Sequence, residues 1–313
     1  MATLTSTPAG PEKIATVTGE GRAPRKRRSA RDHHYPYWFY LPAGVLYLIL
    51  FAVPTFASFF FSLTRWSLFD WQFIGLDNYR TFFSEPALVK GLEHTLIYAV
   101  VTSGLKVVLG MLLAVLLTSQ IIARGYLRSV IFFPVLVSTI GVGLTFTALM
   151  EPTGLINDAL AVLGVHGPGW LADPSYALLS VALVDVWKGV GLATVIFIAG
   201  IVSIPQEYFE AARVDGAGAL ARFRYIILPL ARPATHTVII LSLIGGLRSF
   251  DLIWSMTGGG PGFTSDVIAS VIYKQYQAGF YGLSTAGNVV LFVLVTAVVL
   301  PLFRFLNRRE VQA

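Results

Sequence analysis

The sequence predicts an all-α, polytopic membrane protein with six transmembrane helices, and three observations carry that prediction. Of the 313 residues, 55% are hydrophobic and only 13% are charged, about half the charged fraction of an ordinary soluble domain. Apolar stretches of about 20 residues, the length that crosses a hydrocarbon core, recur roughly over 38–63, 95–117, 127–149, 177–201, 235–255 and 286–305. They are unbroken rather than alternating with period two, which excludes a closed β-barrel. Finally, Lys and Arg alternate between the connecting segments. Lys13, Arg22, Arg25, Lys26, Arg27, Arg28 and Arg31 precede the first span. Arg124 and Arg128 follow the second, Arg213, Arg222, Arg224 and Arg232 the fourth, and Arg304, Arg308 and Arg309 the sixth. The other loops hold only Arg65, Arg80, Lys90 and Lys274. The positive-inside rule therefore places both termini in the cytoplasm, and a net charge of +6 distributed in this way argues against a nucleic-acid surface.

The elements follow in order. Residues 1–34 are polar, rich in Pro, Gly, Thr and Ala, and lack apolar periodicity, so they read as a disordered basic cytoplasmic arm whose cations can touch anionic membrane lipid. A cleaved signal peptide fits poorly, because the apolar run starts late and no small-residue cleavage site follows it. Residues 35–313 form the transmembrane domain. Tyr35, Tyr37, Trp38 and Tyr40 make an interfacial belt at the entry of span one, with Trp66 and Trp71 beyond its exit. Between spans four and five, the charged stretch 203–233 interrupts the apolar pattern. Ser203 with Gln206 spells a capping box with Pro205 in the first turn, predicting a helix to about Val214. Asp215-Gly216 supplies a turn, and a second helix carries Phe223, Ile226, Ile227 and Leu230 until Pro229 and Pro233 end it. After span five, Gly258-Gly259-Gly260-Pro261-Gly262 forces a turn near Met256 at the outer face.

Glu210-Ala211-Ala212, then Asp215-Gly216-Ala217, then Ile227-Leu228-Pro229 resembles the EAA loop of permease subunits of bacterial ABC importers. "SFDLIWSMTGGGP" (249–261), "VIYKQYQAGFYGLSTA" (271–286), "GLDNY" (75–79) and "GWLADPSYALLSVALVDVWKGVG" (169–191) are similar to the carbohydrate-uptake branch of that family, the maltose and glycerol-phosphate type. The resemblance covers nearly the whole chain from Pro36. It implies the type I permease fold with cytoplasmic coupling helices, and coupling residues Glu210, Ala211, Ala212, Asp215, Gly216, Leu228 and Pro229. The implied partners are a second homologous permease, two copies of an ABC ATPase that uses ATP and Mg, and an extracytoplasmic solute-binding (lipo)protein. The chain itself is expected to bind no cofactor or metal. In maltose-type permeases the sugar sits at mid-membrane between the helix after the EAA loop and the helix before it. Matching the shared Trp-x-Gly of span four and the GGP after span five places those contacts at Lys188, Gly189 and Leu192, and at Ser242, Gly245, Gly246 and Ser249. The last four recur at i, i+3, i+4 and i+7, on one helical stripe.

Competing chemistries have weaker support. No G-x-x-x-x-G-K-[ST] loop is present, so ATP hydrolysis is expected from a partner. Ser103 and Lys106 match the S-x-x-K spelling of acyl-transfer enzymes but lie inside span two without a supporting motif. The histidines, at 33, 34, 94, 166 and 236, have no metal spacing, and without Cys there are no disulfides or thiolate sites. Ionisable residues inside a span demand a partner or a task. Asp185 and Lys188, like Arg248 and Asp251, stand three apart, so each pair can meet on one helix face, neutralising one another or snorkelling to the interface, or else line a polar path. A secondary transporter would leave the 203–233 loop without a role. The sugar stays open, and Lys188 with Arg248 would also suit an anionic solute such as a glycerol phosphate.

Overall fold

The computed structural model describes residues 37–307 apart from Leu68 and Gln120. The basic arm, Tyr35, Arg308 and Arg309 lie outside the described residues. The chain divides into residues 1–49 and residues 50–313. In the first unit a 3-10 turn, Tyr37–Tyr40, leads into α1, Leu41–Tyr47, and Trp38, Phe39 and Tyr40 are exposed. A π-helical turn, Leu48–Ala52, runs on into α2, Val53–Phe61. Pro54 accounts for the widened turn, since it lacks an N–H and its ring excludes the carbonyl four residues back.

The second unit continues with a short antiparallel hairpin, β1 (Thr64–Trp66) and β2 (Trp71–Phe73), in which Arg65 faces Gln72. The helical reading had no strand there; the hairpin is too short to carry a period. α3, Asp77–Ser84, is fastened beneath it by Asn78, whose amide donates to the carbonyls of Ser62 and Thr64 at 2.9 and 2.8 Å. Then come α4 (Pro86–Thr118), α5 (Arg124–Leu136), α6 (Thr139–Leu149), α7 (Leu155–Val162) and α8 (Ala177–Val202). The inter-span loop holds α9 (Gln206–Val214), α10 (Ala219–Arg222), a π turn (Phe223–Ile227) and α11 (Leu228–Leu230). α12 (Arg232–Leu247), α13 (Asp251–Thr257), α14 (Ile268–Gln277) and α15 (Tyr281–Asn307) complete the chain.

Two expected spans are broken. Span three is α5 and α6, bent by 98° across Val137 and Ser138, which are both extended. Pro134 withdraws a donor from the turn before the break, and β-branched Val137 accepts the extended conformation readily. Span five ends as α12 at Leu247, and α13 begins only after Arg248, Ser249 and Phe250. Pro233 starts α12 rather than ending the helix before it, and the segment Ala219–Leu230 meets α12 at 70°. Among the described residues, four helices are long and apolar enough to cross a membrane, and two bent pairs raise the number to six if each is one span.

α4 and α8 form the centre. They approach closely at Gly110, where a Cβ would lie 2.9 Å from that of Ala193, the small-residue contact that membrane helices use in place of a hydrophobic driving force. Met111, Phe197, Ile201, Ile227 and Val238 join α4, α8, the inter-span loop and α12 in one buried cluster. Tyr98, Val142, Val181, Ile253 and Met256 join α4, α6, α8 and α13 in another, toward the opposite end.

Candidate functional site

The inter-span loop is built from short-range hydrogen bonds. At the end of α9 the N–H groups of Asp215, Gly216 and Ala217 donate to the carbonyls of Ala211, Arg213 and Ala212 at 3.0, 3.1 and 2.8 Å. This closure requires Gly216 at φ +74°, in the left-handed region, where a Cβ would meet no atom within 4 Å. The constraint is therefore conformational and not steric. The expected capping box does not form. Pro205 is the residue before α9, no side chain caps the helix, and the Ser203 hydroxyl donates to the Gly200 carbonyl at 2.8 Å. Ser203 still belongs to the preceding helical turn, so its hydroxyl finds a carbonyl behind it before it can reach an amide ahead.

Of the predicted coupling residues, Glu210, Ala211, Asp215 and Gly216 are exposed, while Ala212, Leu228 and Pro229 are half-buried. Phe223, placed by the sequence on one apolar side with Ile226 and Ile227, packs with Phe209 and Leu228 on the cluster around Phe197 and Ile227. The loop's apolar stripe thus holds it to its own bundle. A different set of apolar side chains is left outside: Val214 is 88% exposed, Leu220 80% and Tyr225 75%. Periodicity alone does not tell a domain's own core from a partner's.

At mid-bundle a contact between helices takes the place of the pairing that spacing allows between Asp185 and Lys188. Lys106 of α4 donates to Asp185 of α8, Nζ to Oδ2 at 2.9 Å, with 9% and 21% of the two side chains exposed. Gly189 makes room for it, since a Cβ there would come within 2.6 Å of Lys106 Cε. Two elements packed face to face satisfied the charges better than three-residue spacing along one helix. Lys106 Nζ is engaged by Asp185, and among the described residues no hydrogen bond joins it to Ser103. Beside Asp185 lies the Tyr98 hydroxyl, which also neighbours Ser249 in the α12–α13 break but makes no hydrogen bond of good geometry.

The remaining path candidates are distributed around this polar seam. Lys188 and Gly189 are half-buried and Leu192 is exposed on α8; Ser242 and Ser249 are half-buried and Gly245 is exposed. Gly246 is buried, and a Cβ there would lie 2.7 Å from Ala99 Cα and 2.9 Å from the Thr102 hydroxyl. One edge of the stripe is thus packed against α4 while Gly245 and Ser242 face away from that contact. Among the described residues no group of three His, Asp or Glu could hold a metal ion. Sequence reading missed Tyr98 and the Lys106–Asp185 pair, although Lys106, the single charge within its span, was the available signal.

Residues 106–312 match the family described as binding-protein-dependent transport system inner membrane component. The chain is 34% identical, over 88% of its length and 95% of the other protein's, to the trehalose/maltose transport system permease protein MalF of Thermococcus litoralis. It is also 34% identical to the probable ABC transporter permease protein YurN of Bacillus subtilis, over 86% of this chain and 95% of that one. Its fold is similar to that of a chain in a bacterial ABC transporter that imports the acidic polysaccharide alginate, with TM-score 0.75, 24% identity and coverage of 87% of this chain and 94% of that one.

Proposed function

Since this chain belongs to the family of binding-protein-dependent transport system inner membrane components, we propose that it is the permease subunit of an ATP-driven sugar importer and forms half of its translocation pathway. The inter-span loop carries this reading. It presents Val214, Leu220 and Tyr225 to the outside on a scaffold tied to the bundle by Phe209 and Phe223. An exposed apolar tip on a rigid, charged stem suits insertion into a cleft of a soluble partner. The sequence has no phosphate-binding loop of its own, so that partner is an ABC ATPase, present in two copies and using ATP with Mg. Glu210, Asp215 and Arg213 form the wet rim of the contact.

A second, homologous permease supplies the other half of the path, and an extracytoplasmic solute-binding protein delivers the sugar. The alginate importer has been crystallised with its oligosaccharide-bound periplasmic protein, which supports such a partner here. The mechanism in this reading is alternating access. Closure of the ATPases moves the coupling loop, the loop is packed onto α8 and α12, and these helices carry Lys188, Gly189, Leu192, Ser242, Gly245, Gly246 and Ser249 along the path. Both termini and the 203–233 loop lie in the cytoplasm; the hairpin and the 255–285 loop lie outside.

Two measurements test this reading. The full assembly reconstituted in vesicles should take up a sugar only with ATP, the ATPase and the binding protein together; uptake that survives removal of the ATPase would overturn it. The chain has no Cys, so a single cysteine replacing Thr264 should react with an impermeant thiol reagent from outside. Reaction from the cytoplasmic side alone would reverse the orientation.

A further inference from the structure

At the end of the bundle opposite the coupling loop, the hairpin, α3 and the loop before α14 enclose a cavity of about 800 Å³, within the range of small-molecule sites. Its wall includes the rings of Trp66, Trp71, Phe263 and Phe280 and the carboxylates of Asp70 and Glu85. None of these belongs to the mid-membrane path. We infer that this cavity is a second saccharide site, which holds a neutral sugar at the outer mouth before it enters the path. The inference rests on the orientation and the sugar-import reading given above.

The rings are set before any ligand arrives. Trp66 is stacked on Phe61 with centroids 4.3 Å apart, and Trp71 meets Phe60 edge-on at 5.8 Å. Behind them, Asn78 pins the hairpin to α3. Phe263 is the most telling. It is a bulky residue at φ +70°, a conformation that costs energy without glycine, and it leaves 52% of its surface exposed. Lys274 holds it there, with Nζ 5.0 Å from the ring centroid, and is itself fixed by the fully buried Asp266 at 2.7 Å. A strained backbone that displays an aromatic ring into a cavity, secured from behind by Lys274 and the buried Asp266, points to a task for what the ring contacts.

The chemistry of the wall selects the ligand. Flat rings offer faces to the C–H surface of a pyranose, and carboxylates and amides accept and donate to its hydroxyls. Asp70, Asp77 and Glu85 outnumber Arg65 on the wall, and Arg80, 3.0 Å from Asp77, offsets only one of them. The excess negative charge repels a uronate, sulfonate or phosphate and accepts a neutral sugar.

The test uses the full transporter, permeases with ATPases, without the binding protein. Equilibrium binding of radiolabelled glucose, maltose and trehalose is measured, with glucuronate as acidic competitor. At least one neutral sugar should bind saturably. Its affinity should fall at least tenfold with Trp71→Ala and with Phe263→Ala and recover with Phe263→Tyr, and glucuronate should not compete. Saturable binding of none of the three, equal binding by both alanine variants, or effective competition by glucuronate would overturn the proposal. Retention of the binding protein is measured separately on the same variants, and its loss without any sugar binding by the wild type would also overturn the proposal, making the cavity a protein-docking site. ATP-driven uptake by the wild-type transporter reconstituted together with its binding protein separates the two readings: uptake without cavity binding defeats only this site, whereas absence of uptake defeats the import reading itself.

Discussion

Replacing Gly216 isolates backbone conformation from side-chain size, because a Cβ there has nothing within 4 Å to strike. The penalty comes only from φ +74°. A β-branched residue held in the left-handed region costs about 1–3 kcal/mol, Ala roughly 1–2 kcal/mol, and Asn less, since its short polar side chain visits this region routinely. If the loop must keep this turn to dock, the cost appears as lost affinity for the ATPase, and 1.4 kcal/mol is tenfold. Gly216→Val should therefore weaken association about 5- to 150-fold, Gly216→Ala less, and Gly216→Asn least, while each chain still inserts. Titrating purified ATPase against the permease in detergent reads the series directly. Wild-type affinity for Gly216→Val would remove the turn from the docking argument. An Asn variant as weak as the Val variant would show that bulk, not conformation, is what the loop cannot tolerate.

Lys106→Met leaves the half-buried Asp185 without its ammonium partner and should destabilise the protein by about 1–3 kcal/mol, whereas Lys106→Met with Asp185→Leu should recover most of the loss; thermal unfolding in detergent reads both. On the path stripe, Gly246→Leu should lower thermal stability by about 1–3 kcal/mol through overpacking against Ala99 and Thr102. Gly245→Leu enters open space, so it should preserve stability and ATPase binding but reduce sugar uptake. Normal uptake with Gly245→Leu would move the path to another face.

Hydropathy located the four long apolar helices because desolvation of about 20 residues is a property of composition, and composition is visible in any sequence. The turn at Gly216 was legible for the same kind of reason, since Asp-Gly declares its own backbone angle. Partner choice was not. Asp185 had Lys188 three residues away and Lys106 on another helix, and only the packing of α4 on α8, opened by Gly189, decided between them. Phe223 and Ile226 showed an apolar side without showing whose core it completes. The outer cavity was equally hidden, because its wall is drawn from the hairpin, α3, α4 and the segments flanking α14, and no one of them carries a pattern.

The two broken spans belong together. Backbone without helical hydrogen bonds is tolerated at membrane depth only where protein or a water-filled path takes up its polar groups. The segments that follow the breaks, α6 and α13, pack on one another: the Thr147 hydroxyl donates to the Met256 carbonyl at 3.4 Å, and a Cβ on Gly143 would come within 2.8 Å of Ser255 Cβ. Both also join the cluster of Tyr98, Val142, Ile253 and Met256. A tilt of either half-helix therefore displaces the other, and it moves Ser249 relative to Tyr98 and Asp185. Continuous helices in spans three and five would tie these outer halves rigidly to the segments nearer the coupling loop. In the import reading proposed above, the breaks would give these halves a joint where they turn as a pair, the freedom that a path opening alternately at its two ends requires.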